Sequence, residues 1–156
     1  MAVHYPLAAY PSPTLALGAV GTDALFACRA RAAVQALSRF VPTYQYEFND
    51  RGAPFFFQVA HPSFPMGAFH AAELQYLFTL RGLPSRLSGD HEKLSQAMLD
   101  LWTTFARSGF PGAGWPRYAR ATGVAESLVP PQPTIETGFA KDHQCAFWGE
   151  MPAPES

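Results

Sequence analysis

A mixed α/β body, too poor in strands to close a layered core by itself, is what the sequence predicts, and three observations carry this. The run Thr43-Tyr44-Gln45-Tyr46-Glu47-Phe48 alternates aromatic and polar side chains, the period of a strand with one packed face. Over Leu94–Arg107, Leu94, Met98, Leu101, Trp102 and Phe105 fall on one helical stripe, with Gln96, Asp100, Thr103, Thr104 and Arg107 as polar surface. Between such segments, 15 prolines and 12 glycines cut the chain into short pieces, most densely at Tyr10–Pro13, Gly109–Trp115 and Leu128–Pro133. None of these breaks reads as a long linker, and no repeat is present. A single helix–strand–helix–helix series does not amount to a complete two-layer domain.

In chain order, Thr22 or Asp23 is positioned to cap a helix running to about Arg39, with Leu25, Phe26, Ala30, Val34 and Leu37 near helical spacing and Arg29 and Arg31 flanking them. The 43–48 strand follows, with Tyr44, Tyr46 and Phe48 on its packed face, and Asn49-Asp50-Arg51-Gly52 turns it. Gly67-Ala68-Phe69-His70-Ala71-Ala72-Glu73-Leu74 then places a histidine in a small-residue loop ahead of a short apolar helix. Gly109 is set to close the 94–107 helix in a left-handed cap, and Pro111 blocks its continuation. Thr134–Phe139 is a candidate second strand and Cys145–Trp148 a short apolar segment.

A formal charge of -1 supplies no field to steer nucleic acid, and the aromatic residues lack the interleaved basic residues of a stacking groove, so nucleic acid is not an expected partner. A neutral small molecule is the easier partner. No run of 18 apolar residues and no basic-then-apolar opening is present, so neither a membrane span nor a signal peptide is expected; localisation stays open.

The chemistry-bearing residue is His70. An imidazole with a pKa near neutrality takes a proton from a hydroxyl during nucleophilic attack and returns it to a leaving alkoxide. Read locally, the same residue is a loop histidine making hydrogen bonds. The hydroxyl it would serve is missing: none of Ser12, Ser38, Ser63, Ser85, Ser88, Ser95, Ser108 or Ser127 lies in a Gly-x-Ser-x-Gly elbow, and no His-Gly-Gly stretch offers an oxyanion loop. Asp23 reads as a helix-start cap. His61 reads as a loop residue, while His4, His91 and His143 show no convergent pattern. His143-x-Cys145 is too small for a structural zinc, and no cofactor is expected. Tyr44, Tyr46 and Phe55-Phe56-Phe57 read as strand and core rather than pocket lining, and Trp102 and Trp115 as packing rather than nucleic-acid stacking. From the residues alone, Cys28 and Cys145 favour two reduced, buried thiols.

Several ordered motifs give this reading a family. They are Gly21-Thr22-Asp23 with Phe26 and Cys28; Pro42 through Phe48; Phe69-His70-Ala71-Ala72-Glu73-Leu74; Leu101-Trp102 with Phe105-Ala106-Arg107-Ser108-Gly109; Trp115-Pro116-Arg117-Tyr118; and His143-Gln144-Cys145-Ala146-Phe147-Trp148. In this order the chain resembles the C-terminal part of the type-B carboxylesterases and cholinesterases, which are α/β-hydrolases. The resemblance covers almost all of residues 1–156 and implies one C-terminal fragment of a carboxylesterase type-B domain, an incomplete C-terminal portion of an α/β-hydrolase fold.

On that resemblance the 43–48 strand joins a mostly parallel sheet and the 94–107 helix covers one face. His70 is the histidine of a Ser–acid–His triad, and the chain order Ser, acid, His puts the other two upstream. Glu73 helps organise the histidine region, and Cys28 and Cys145 form a disulfide in extracellular members. The implied parent hydrolyses a small neutral or apolar carboxylic ester, with the missing upstream hydrolase segment supplying nucleophile, acid and oxyanion donors; the chain alone is inactive. The alternative use of the fold is a noncatalytic cholinesterase-like adhesion or protein-interaction module. A third reading is a small regulatory or structural domain whose exposed apolar surface binds a partner.

Overall fold

The computed structural model describes residues 1–57, 63–83 and 87–150, which fall into two compact units. The first comprises Met1–Gln45, Arg117–Val124 and the chain from Glu136 onward. Its spine is α1 (Pro13–Thr22), a π-helical turn over Asp23–Ala27, and α2 (Cys28–Leu37). The helix begins well before the expected start, with its cap at Ser12 instead of Thr22 or Asp23. Ser12 caps it, its hydroxyl oxygen accepting the Leu15 N–H at 3.3 Å, and Pro13 occupies the first turn where its missing N–H costs nothing. Asp23 is therefore not a helix-start cap. It lies inside a continuous helix, where the Cys28 N–H bonds back to its carbonyl and widens one turn.

Two short helices, α5 (Phe139–Asp142) and α6 (Cys145–Glu150), fold back on this spine. The expected strand to Phe139 ends early, at Glu136, because Gly138 opens the first turn of α5. The segment 145–148 is helical. Cys28 and Cys145 are joined in a disulfide, so the thiols are not reduced; Cys145 is buried and Cys28 half-buried. Cys28 Sγ lies 3.2 Å from the His143 carbonyl, a packing contact, since an oxidised sulfur has no proton to donate. The outer face of this unit is apolar in places: Leu17, Leu25, Leu37 and Phe40 are 54–84% exposed.

The second unit, Tyr46–Pro116 with Ala125–Ile135, carries a small sheet of β1 (Tyr46–Phe48), β2 (Ala125–Leu128) and β3 (Thr134–Glu136), in the order β1-β2-β3. β1 and β2 are parallel, with Tyr46, Glu47 and Phe48 opposite Glu126, Ser127 and Leu128. The strand is shorter than the 43–48 expectation, and its buried neighbour is Gln45, whereas Tyr46 is 44% exposed. Tyr46 still packs by its edge, at 5.0 Å from Trp102 and 5.7 Å from Trp115, so these tryptophans pack within the unit.

α4 (Asp90–Ser108) shares a core with β2, its Leu94 and Met98 lying in one buried cluster with Leu128. It starts earlier than Leu94 because Asp90 and Glu92 complement the partial positive charge of its first turn, and Arg107 does the reverse at the end. Gly109 closes it at φ 71°, its N–H bonding to the Phe105 carbonyl at 2.7 Å, as the sequence predicts. Leu94, Met98 and Leu128 are fully buried with Tyr76 in one core cluster, Phe48 and Trp102 packing against it. Each such aliphatic side chain contributes roughly 1.5–3 kcal/mol over exposure. Tyr76 belongs to α3 (Leu74–Leu77), the short helix that follows His70. A second cluster joins Phe56, Phe69 and Ala72. Among the described residues, no helix is long and apolar enough to cross a membrane.

Candidate active site

His70 sits on a tight turn that two buried neighbours pin down. Phe69 and Ala72 face inward, and Phe69 meets the rings of Phe55, Phe56 and Phe57 at 5.8–5.9 Å. His70, between them, is exposed. The turn is closed by the Ala72 N–H to the Phe69 carbonyl at 2.9 Å and the Leu74 N–H to the Ala71 carbonyl at 3.1 Å. Gly67 enters it at φ 60°, and Ala71 holds φ 73°, a left-handed conformation that costs an alanine about 1–2 kcal/mol. A strained residue persists only where its surroundings over-determine it, and here the anchors are the two buried flanks.

Glu73, half-buried, follows on the same turn. Its charge reaches Tyr46 on β1: burial first, then the Glu73 carboxylate, raises the Tyr46 phenol above its ordinary value. Tyr46 and Phe55–Phe57 thus act as packing, with Phe55–Phe57 forming the bed under Phe69.

What sequence reasoning missed is the strut behind this turn. Asp50, 3% exposed, accepts three hydrogen bonds. They come from the Gly52 N–H at 2.9 Å, the Tyr76 hydroxyl at 2.5 Å and His91 Nδ1 at 2.7 Å. A carboxylate only accepts, so Nδ1 carries the proton, and the 3.0 Å approach of Tyr76 Oη to Nδ1 is a shared contact on that N–H. Burial, and then Asp50 as acceptor and as charge, pushes the Tyr76 phenol up, which keeps it a donor. Ser95 Oγ donates to the Tyr76 carbonyl at 2.6 Å and Gln75 Nε2 to the Pro54 carbonyl at 2.9 Å. α3 is therefore tied to the turn after β1, to the chain at Pro54 and to α4, and the His70 turn is continuous with α3. The one legible signal was the Asn49-Asp50-Arg51-Gly52 turn; nothing in the sequence paired it with His91.

A second acid–histidine pair lies in the first unit. Asp23 Oδ1 is 2.6 Å from His143 Nδ1, and its Oδ2 accepts the Tyr5 hydroxyl at 2.7 Å, which in turn accepts from Trp148 Nε1 at 2.5 Å. Burial, then the bond to Asp23, raises the Tyr5 phenol. With Asp23 4% exposed and the disulfide joining Cys28 to Cys145, this is a packing network that fastens His143 and Trp148 to the π-helical turn. The structure thus gives His91 and His143 carboxylate partners that the sequence does not reveal. His61 and Ser85 lie outside the described residues.

No group of three or more His, Cys, Asp or Glu side chains among the described residues is arranged to hold a metal. A concavity of about 290 Å³ opens beside α3 and α4, lined by Phe56, Tyr76, Leu80 and Ser95, and His70 is not part of it. The site therefore presents a rigidly carried imidazole, and the sequence holds no Gly-x-Ser-x-Gly nucleophile for it to activate.

Comparison with known proteins adds the wider context. Residues 10–148 match the family described as Carboxylesterase family. Carboxylesterase 1D of Rattus norvegicus is 32% identical over 119 residues, covering 74% of this chain and 20% of that protein. Liver carboxylesterase 1 of Mus musculus is 35% identical over 122 residues, with the same coverage of 74% and 20%. Among solved structures, a PNB esterase superposes with a TM-score of 0.66 at 26% identity, over 94% of this chain and 29% of that one. The chain spans about a fifth of the length of the curated relatives it matches.

Proposed function

Because the chain belongs to the carboxylesterase family, we propose that residues 1–156 are the C-terminal, histidine-bearing portion of a carboxylesterase type-B domain and that the whole protein hydrolyses carboxylic esters. The observation that carries this is His70 itself: an exposed imidazole on a strained turn held by buried Phe69 and Ala72 and continued by a helix fixed at Tyr76. In this reading His70 takes the proton of an upstream serine as it attacks the ester carbonyl, and delivers it to the departing alkoxide. It then takes a proton from water, whose oxygen attacks the acyl-enzyme, and returns that proton to the serine. Glu73 supports the turn and is not the triad acid. The upstream segment supplies serine, acid and oxyanion donors, and the substrate is a small neutral or apolar ester. β1, which among the described residues pairs only with β2, offers the edge on which that segment's sheet continues.

The chain alone is inactive, because a general base without a nucleophile and oxyanion donors gives no acyl transfer. The test is a p-nitrophenyl acetate assay on the 156-residue chain beside a protein extended upstream to include the serine elbow. Turnover in the extended protein alone is expected. His70-dependent turnover by the 156-residue chain would overturn the assignment of the nucleophile to another segment, and no turnover in the extended protein would overturn the esterase reading in favour of a noncatalytic use of the fold.

A further inference from the structure

Glu126 in the second unit is a buried carboxyl with an unpaired oxygen among the described residues. It lies in the middle strand β2, 3% exposed, and its Oε2 is buried with no hydrogen-bond partner among the described residues. Interiors rarely leave a polar atom so, because an unpaired buried carboxyl forfeits its hydration without replacement. Two residues further along the same face, Leu128 is sealed in the apolar core. At Glu126 that face instead meets a concavity of about 360 Å³.

The walls of this concavity have the makeup of a small-molecule site: apolar surface from Leu101 and Pro133, and polar groups from Asp100, Thr104 and Gln132 around Glu126. Every ionisable side chain in the lining is a carboxylic acid, and Gln96 Nε2 already donates to Asp100 Oδ1 at 3.0 Å. What the pocket lacks is a positive N–H donor. A metal ion is disfavoured, since no three ligating side chains converge there.

We propose that this concavity binds a small organic ammonium ion, its N–H groups donating to Glu126 and its hydrocarbon lying against Leu101 and Pro133. The lining takes nothing from β1 and does not include His70, so the proposal stands apart from the ester chemistry. Burial alone moves the Glu126 carboxyl up to about 7, with no neighbouring cation to offset it. The titratable groups facing it are Asp100 on α4 and, opposite it in register on β1, Tyr46; the segments 111–114 and 132–133 contribute no charge. An ammonium ion binds the ionised form, so its affinity rises with pH through the Glu126 titration.

The test titrates n-butylammonium chloride into the 156-residue chain with the Glu side-chain carboxyls labelled with carbon-13, the Glu126 signal being assigned from E126Q. Saturable movement of that signal is expected, with affinity about tenfold higher at pH 8 than at pH 6, the ratio of ionised fractions about a pKa near 7. E126Q is expected to lose at least about tenfold in affinity, the scale of one charge-assisted bond, and 1-butanol is expected not to compete. Should E126Q fail to fold, the Glu126 signal is assigned from E126D instead, and Ala97→Leu, which narrows the pocket from half-buried Ala97 on α4 and keeps the carboxyl, is expected to abolish binding. An unmoved Glu126 signal in folded protein, equal affinity in E126Q or A97L, or affinity independent of pH would each overturn the proposal.

Discussion

Reducing the Cys28–Cys145 bridge perturbs the first unit without removing a single heavy atom, which isolates the cross-link from side-chain packing. The two residues are 117 apart in sequence. Loop-closure entropy for a loop of that length corresponds to about 4.9 kcal/mol at 25 °C, and native bridges of this kind deliver about 2–5 kcal/mol once strain and residual unfolded structure are included. With a urea m-value of about 2 kcal/mol/M, the midpoint of unfolding is expected to fall by about 1–2.5 M in the reduced protein. The assay is urea denaturation of oxidised and thiol-reduced protein, followed by far-ultraviolet circular dichroism. C28A/C145A is expected to fall further, because Cys145 is buried and truncating it removes a packed sulfur. Midpoints agreeing within about 0.2 M, with the bridge verified as formed in one sample and absent in the other, would refute the reasoning.

Tyr76→Phe deletes the hydroxyl that donates to buried Asp50 and is expected to destabilise by about 1.5–3 kcal/mol, measured by urea denaturation; a loss under 0.5 kcal/mol would remove the strut from the account. Met98→Ala opens a cavity at a fully buried position and is expected to cost about 2–5 kcal/mol, while the exposed Leu17→Ala is expected to change stability by about 0.5 kcal/mol or less. Glu126 gives a pH signature. Its folded pKa lies above its unfolded value, so the native state holds the proton more tightly and stability falls as pH rises from the unfolded value of 4.5 through about 7. The loss is on the order of 2–3 kcal/mol. Denaturation at pH 5 and pH 8 is expected to show this slope in wild type and a flattened one in E126Q; the same slope in both would place its origin elsewhere.

The sequence made long-period features legible and concealed those that depend on pairing across the chain. α4 was readable because its apolar stripe spans several turns and ends at Gly109, a residue that accepts φ 71° without strain. The start of the first helix was missed because α1 is apolar nearly all round, and the Ser12-Pro13 signal stood inside what read as a proline break. Asp23 looked like a cap since acids favour that place; only the folded chain shows Tyr5 and His143 meeting it from 18 and 120 residues away. The Asp50–Tyr76–His91 strut was hidden for the same reason, its members lying on three separate elements. At the candidate site, the identity of His70 came from its motif, whereas the strained Ala71 and the buried flanks that carry the imidazole are properties of the fold. The cysteines were ambiguous because composition does not report distance, and their Cα atoms lie 5.2 Å apart.

The central claim is that His70 is the general base of an esterase completed by an upstream segment, and the most direct test is kcat/KM for p-nitrophenyl acetate in the upstream-extended protein and its H70A form. H70A is expected to lose about 10²–10⁴-fold or more, the contribution of a positioned acid–base group, with a thermal unfolding midpoint close to wild type because the side chain is exposed. Activity of the H70A form within about twofold of wild type, an effect of less than 0.5 kcal/mol on the barrier, would contradict it.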